Sequence, residues 1–132
     1  MPVAERPIDK PRPVYLNLFA IRQPLPAIVS ILHRITGALL FAVGIPLLLW
    51  FVQRSLASPD AFDAAMRPLT SPFGKLVLLG LVWGYVYHLL AGLRHLALDL
   101  HAGIQLAPAR SSAAVLLVVS ALLLIVIAVR LW

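Results

Sequence analysis

Cysteine is absent from the 132 residues, which removes disulfides, thiolate metal sites and cysteine-ligated iron–sulfur clusters from this chain. Charge is scarce too. Only 12% of residues are Asp, Glu, Lys or Arg, against about a quarter in an ordinary soluble domain. Three stretches, Ile35–Val52, Leu76–Leu93 and Ser111–Val129, hold none of these four types and run 18 or 19 residues each. At about 1.5 Å per residue, each covers nearly the whole ~30 Å hydrocarbon layer. With 61% of residues hydrophobic, the sequence predicts an all-α membrane protein of three transmembrane helices with very little soluble mass.

Acids are the scarcer charge, five against eleven bases, for a net charge of +6. That excess does not point to nucleic acid, because the bases do not share a soluble face. Arg6, Lys10, Arg12, Arg22 and Arg34 precede the first apolar run. Arg54 and Arg67 in the first loop are offset by Asp60 and Asp63, and Arg94 and Arg110 bracket the second loop. The positive-inside rule then predicts a cytoplasmic N-terminus and second loop, with the first loop and C-terminus outside. Trp50 and Trp132 fall at the outer ends of helices one and three, as interfacial aromatics do.

About thirty residues with six prolines precede the first run, which ends without a small-residue cleavage pattern, so no removable signal peptide is expected. Residues 1–26 read as a cytoplasmic N-terminal segment and 27–132 as a three-helix membrane domain, with helices at about 27–52, 72–100 and 112–131. Within the first segment Pro2, Pro7, Pro11 and Pro13 prevent a regular helix. Tyr15, Leu16, Leu18, Phe19 and Ile21 suit a membrane surface or a partner. Pro46 should bend the outer half of helix one. Ser58-Pro59-Asp60 and Ser71-Pro72 each carry a helix-entry signal, the first sufficient for one short turn within the loop. Helix three reads as packing and lipid contact, without a buried polar group.

Polar chemistry concentrates in two strings, Ser30-Ile-Leu-His-Arg-Ile-Thr-Gly37 and His88-Leu-Leu-Ala-Gly-Leu-Arg-His95, with Asp99 beyond. Ionisable groups inside a span are costly and mark a functional site by default. Ser30, His33, Arg34 and Gly37 follow i, i+3, i+4, i+7 spacing. His88, Gly92, His95 and Asp99 follow a matching pattern, so each set occupies one helix face. Antiparallel packing would bring the two stripes together as a polar pocket opening to the cytoplasm. His88 is expected about 10 Å deeper than His95 and alone at that depth.

Each residue has a plain reading beside a sharper one. His88 either bonds a neighbouring helix or ligates a haem iron, for which neutral imidazole is a common axial ligand. Gly92 suits helix packing or the close approach of a flat macrocycle. Arg34 and Arg94 are either snorkelling anchors or donors to propionates or a quinone carbonyl. Ser30 either bonds back to its helix or donates to a carbonyl. Asp99 pairs most simply with Arg94 or His95, and His101 has no assigned role. A proton-coupled transporter would want a carboxylate near mid-membrane, which neither of the first two spans has. A purely structural anchor would not need His88.

Arg12-Pro-Val-Tyr-Leu-Asn-Leu, Ile21-Arg22, Pro26 and the Ser30–Gly37 string together resemble the start of the cytochrome b556 subunit of bacterial succinate dehydrogenase, respiratory complex II. His88-Leu-Leu-Ala-Gly-Leu-Arg-His-Leu-Ala-Leu-Asp99 is similar to that family's second-helix signature, His-x3-Gly-[IL]-Arg-His-x3-Asp. The resemblance covers nearly the full length. It implies a subunit of the bacterial inner membrane packed against a second small membrane anchor, sharing one haem b. It also implies partner subunits, a flavoprotein with FAD and an iron–sulfur protein with the clusters, docked on the cytoplasmic side. Ubiquinone would be the electron acceptor. By position, His88 matches the axial ligand of the haem iron, the other ligand coming from the partner anchor. Ser30, Arg34 and Ile31 match quinone-site positions. His33, Arg34 and Arg94 lie where propionates are held. Gln23 stands where some members carry an aromatic. The anchor of a quinol:fumarate reductase is the alternative within the same chemistry.

Overall fold

The computed structural model describes Asn17 and residues 20–132, and the expectations for Tyr15, Leu16, Leu18, Phe19 and the early prolines lie outside the described residues. All regular structure among them is helical: α1 (Leu25–Leu39), a π-helical turn (Leu40–Gly44), α2 (Ile45–Ala57), α3 (Pro59–Thr70), α4 (Pro72–Asp99) and α5 (Leu106–Leu131). Three helical units are long and apolar enough to cross a membrane: Leu25–Ala57, Pro72–Asp99 and Leu106–Leu131.

The π turn explains how the first span carries Pro46. Proline lacks an N–H and its ring collides with the carbonyl four residues back. The wider π register removes that collision, and the Ile45 N–H reaches back five residues to the Leu40 carbonyl.

Both serine-proline entry signals operate. Ser58 Oγ accepts from the Ala61 N–H at 3.1 Å, and Ser71 Oγ accepts from the Gly74 N–H at 3.0 Å. The first of them opens a 12-residue helix rather than a single turn. Gly74 is required where α3 meets α4, since a Cβ there would overlap the Pro68 carbonyl. The third span begins six residues before the expected Ser112. Its Pro108 falls at the third helical position, where no N–H is needed.

α4 and α5 run antiparallel. Lys75 Nζ stands 5.5 Å from the centre of the Trp132 ring at one end. At the other end the Arg94 Nε–H donates to Ser112 Oγ at 3.0 Å. Val29, Tyr87, Ala91, Ala113 and Leu116 form the buried core, with alanines where helices must approach closely. Little else is buried. Phe41 is 75% exposed, Leu48 60% and Val129 73%, apolar surface that suits lipid or a partner subunit rather than water. The sequence reading of α5 needs one correction: Ser120 is buried, its hydroxyl donating to its own Leu117 carbonyl at 3.0 Å.

α4 ends in a Schellman motif, with the His101 N–H donating to Leu98 O and the Ala102 N–H to Ala97 O, both at 2.9 Å. The residue that must turn left-handed is His101, at φ 61°, where glycine is usual. A side chain there costs about 1–2 kcal/mol, and glycine's extra unfolded-state entropy returns about 0.5–1 kcal/mol of that. His101→Gly should therefore slow hydrogen exchange at the 101 and 102 amides by a few-fold. Faster exchange in the variant would show that the imidazole itself stabilises the turn.

Candidate functional site

Residue 33 stands opposite residue 92, and residue 37 opposite residue 88. A Cβ on Gly92 would meet His33 Nε2 at 3.6 Å, and one on Gly37 would meet His88 Cε1 at 2.7 Å. The first two spans are thus antiparallel at this crossing, and the two polar strings face each other.

His88 enters a socket on α1. Its Nδ1 lies 3.0 Å from the His33 carbonyl oxygen and 3.3 Å from Thr36 Oγ1. A carbonyl can only accept, so Nδ1 carries the proton, and in the neutral ring Nε2 keeps its lone pair. The Thr36 hydroxyl lies within bonding range of its own helix at Leu32 O, 2.9 Å, and His33 O, 3.0 Å. Gly37 leaves the space the imidazole fills. The value of Gly37 and Thr36 was not legible in the spacing, although both sit inside the first string.

His88 is not alone at its depth, contrary to the sequence expectation. The His33 ring stacks on it with centroids 4.1 Å apart and planes 15° apart, and lies 5.0 Å from the His95 ring. Position 33 falls midway between the levels of 88 and 95, so one ring touches both. Rings stacked face to face do not aim their nitrogens at a common point. Among the described residues no three His, Asp or Glu side chains converge to hold a metal.

The α1 stripe divides into two edges. Counted at roughly 100° per residue, it spans about 100° of circumference. His33 and Gly37 occupy the edge packed on α4, and Ser30 and Arg34 the outer edge. Arg34 is exposed, Ser30 and Ile31 are half-buried, and neither Ser30 nor Arg34 has a hydrogen-bond partner among the described residues. His33 and Gly37 of α1 pack on His88, Gly92 and His95 of α4 here.

Arg94 turns away from this cluster. Its Nε and Nη2 donate to Ser112 Oγ and the Ala109 carbonyl of α5, each at 3.0 Å, and Asp99 is left exposed. Gly92 accommodates the His33 ring. One further residue escaped the sequence reading. Tyr87 is fully buried, and its hydroxyl donates to the Val29 carbonyl at 3.0 Å. It pins α4 to α1 beside His88.

The sequence profile of the family described as the succinate dehydrogenase/fumarate reductase transmembrane subunit matches residues 8–127. The chain belongs to that family. It is 42% identical over 112 residues to the succinate dehydrogenase cytochrome b556 subunit of Paracoccus denitrificans, a match covering 85% of each chain. It is 35% identical over 122 residues to the protein of the same name from Coxiella burnetii (strain RSA 493 / Nine Mile phase I), covering 92% of this chain and 97% of that one. The family match spans the helices that carry the histidine cluster, so the resemblance first seen in two strings extends over residues 8–127.

Proposed function

We propose that the chain is a membrane-anchor subunit of a succinate:quinone oxidoreductase, supplying one axial ligand of a haem b and part of the quinone-reduction site. The observation that carries this reading is the His88 socket. A ring held through Nδ1 on a carbonyl presents Nε2 as a neutral ligand in a fixed orientation, the arrangement typical of metal-bound histidine. His33 meets His88 face to face and cannot supply the second ligand, so that ligand belongs to a partner anchor.

Haem b, when bound, would be held by His88 and would supply a one-electron carrier. The chain's own residues do the rest. Arg34, without a hydrogen-bond partner among the described residues and at the polar end of the span, donates to the quinone oxygen and stabilises negative charge as it develops there. Ser30 donates one hydrogen bond that fixes the same oxygen, and Ile31 lines the apolar wall. His33 and Arg34 provide donors for the propionates. Arg94, turned toward α5 and away from the histidine cluster, is left out of that set. Ubiquinone enters from lipid, and its two protons come from water at the same end of the helix.

FAD, the iron–sulfur clusters and the succinate site belong to flavoprotein and iron–sulfur partners. By the positive-inside rule these dock on the cytoplasmic side of a bacterial inner membrane, against residues 1–26 and the second loop. A quinol:fumarate reductase anchor is the second reading, since the family description covers both enzymes. The names of the two relatives favour the succinate direction.

The test is the reduced-minus-oxidised visible spectrum of the complex purified through this chain. A b-type haem band is expected, reduced severalfold in Gly37→Ala, whose new methyl displaces His88. A complex without the band, or undiminished haem in Gly37→Ala, overturns the reading.

A further inference from the structure

The far side of α4 carries a second polar feature that the histidine cluster does not use. Counted at roughly 100° per residue, Leu90 and Arg94 point away from the face holding His88, Gly92 and His95. With Ser111, Ser112, Val115 and Val119 of α5 they line an open groove of about 430 Å³.

The groove has one polar end. Arg94 is held there by Ser112 and the Ala109 carbonyl, while its Nη1 has no acceptor among the described residues. Arg110 is exposed nearby in sequence. Below, the walls are apolar from Ser112 to Val119, about 10 Å along the helix. Between Ala113 and Val129, α5 carries a single polar side chain, Ser120, which bonds back to its own helix. A guanidinium with spare donors above an apolar slot matches a phosphate ester on an acyl chain.

We infer that the α4–α5 groove binds an anionic phospholipid, its phosphate on Arg94 and one acyl chain along Val115 and Val119. With the orientation proposed above, the mouth opens to the cytoplasmic leaflet, where anionic lipids concentrate. The site lies across α4 from His88, so it stands or falls separately from the haem.

The test uses the complex purified with all its subunits, stripped of loose lipid and offered phosphatidylglycerol or phosphatidylcholine, with retained lipid counted by mass spectrometry. The wild type is expected to retain phosphatidylglycerol preferentially. Arg94→Gln should lose that preference by about fivefold, and Val119→Trp, which fills the slot, should lose retention of both lipids. Equal retention of the two lipids by the wild type, or unchanged retention in both variants, overturns the proposal. Displacement of the lipid by inorganic phosphate would assign the site to a free anion and also overturn it. Because the chain has no cysteine, Val115→Cys creates its only thiol. Labelling by a lipid-borne maleimide supports the proposal, and cross-linking to a partner helix overturns it.

Discussion

A complex carrying His88→Ala is expected to assemble with its partners and to lose haem by at least about tenfold, because the proposed reading makes His88 a direct ligand of the iron. The substitution leaves its surroundings intact for specific reasons. Thr36 keeps the Leu32 and His33 carbonyls within hydrogen-bond range on its own helix. The fully buried Tyr87 still anchors α4 to the Val29 carbonyl. The helix crossing therefore survives and the loss is confined to the ligand. His33→Ala is the matched control. It removes a ring that stacks on the face of His88 at 4.1 Å but leaves the His33 backbone carbonyl that accepts from Nδ1. Its difference band should fall far less than in His88→Ala, because His33 is proposed to hold a propionate and not the iron. Loss of haem in His33→Ala with retention in His88→Ala would exchange the two roles.

Arg34→Leu should lower quinone reduction by about a hundredfold, the usual consequence of losing one donor to a developing oxyanion. Succinate oxidation by an artificial acceptor that bypasses the membrane should change little. The substitution is well suited to the comparison because Arg34 is exposed and has no hydrogen-bond partner among the described residues. Leucine at the same place removes no contact on which α1 depends. Equal losses in both assays would trace the defect to assembly and remove Arg34 from the quinone site.

The helices were legible because hydropathy and charge-free length suffice in a lipid solvent, and because serine-proline pairs mark entry. Their limits were less so. α5 begins at Leu106 because Pro108 is harmless in a first turn, a fact that the apolar run starting later conceals. Helical spacing correctly placed His33, Gly37, His88, Gly92 and His95 at one crossing. Helical spacing also sets Arg94 off the histidine face, toward α5. Spacing carries no information about how a side chain turns at the end of its reach, and the rise of the His33 ring to His88 depended on that. His88 and Tyr87 reach backbone carbonyls of α1, which have no signature in sequence. Gly37 illustrates the same limit. Its need for an absent side chain becomes visible only when His88 Cε1 is found 2.7 Å from the position of the missing carbon.

The most direct test of the central claim is a density map of the assembled complex with its haem. His88 Nε2 is expected within bonding distance of the iron, with Nδ1 still on the His33 carbonyl and the opposite ligand on another subunit. An iron held by two residues other than His88, or a His88 ring facing lipid, would contradict the account.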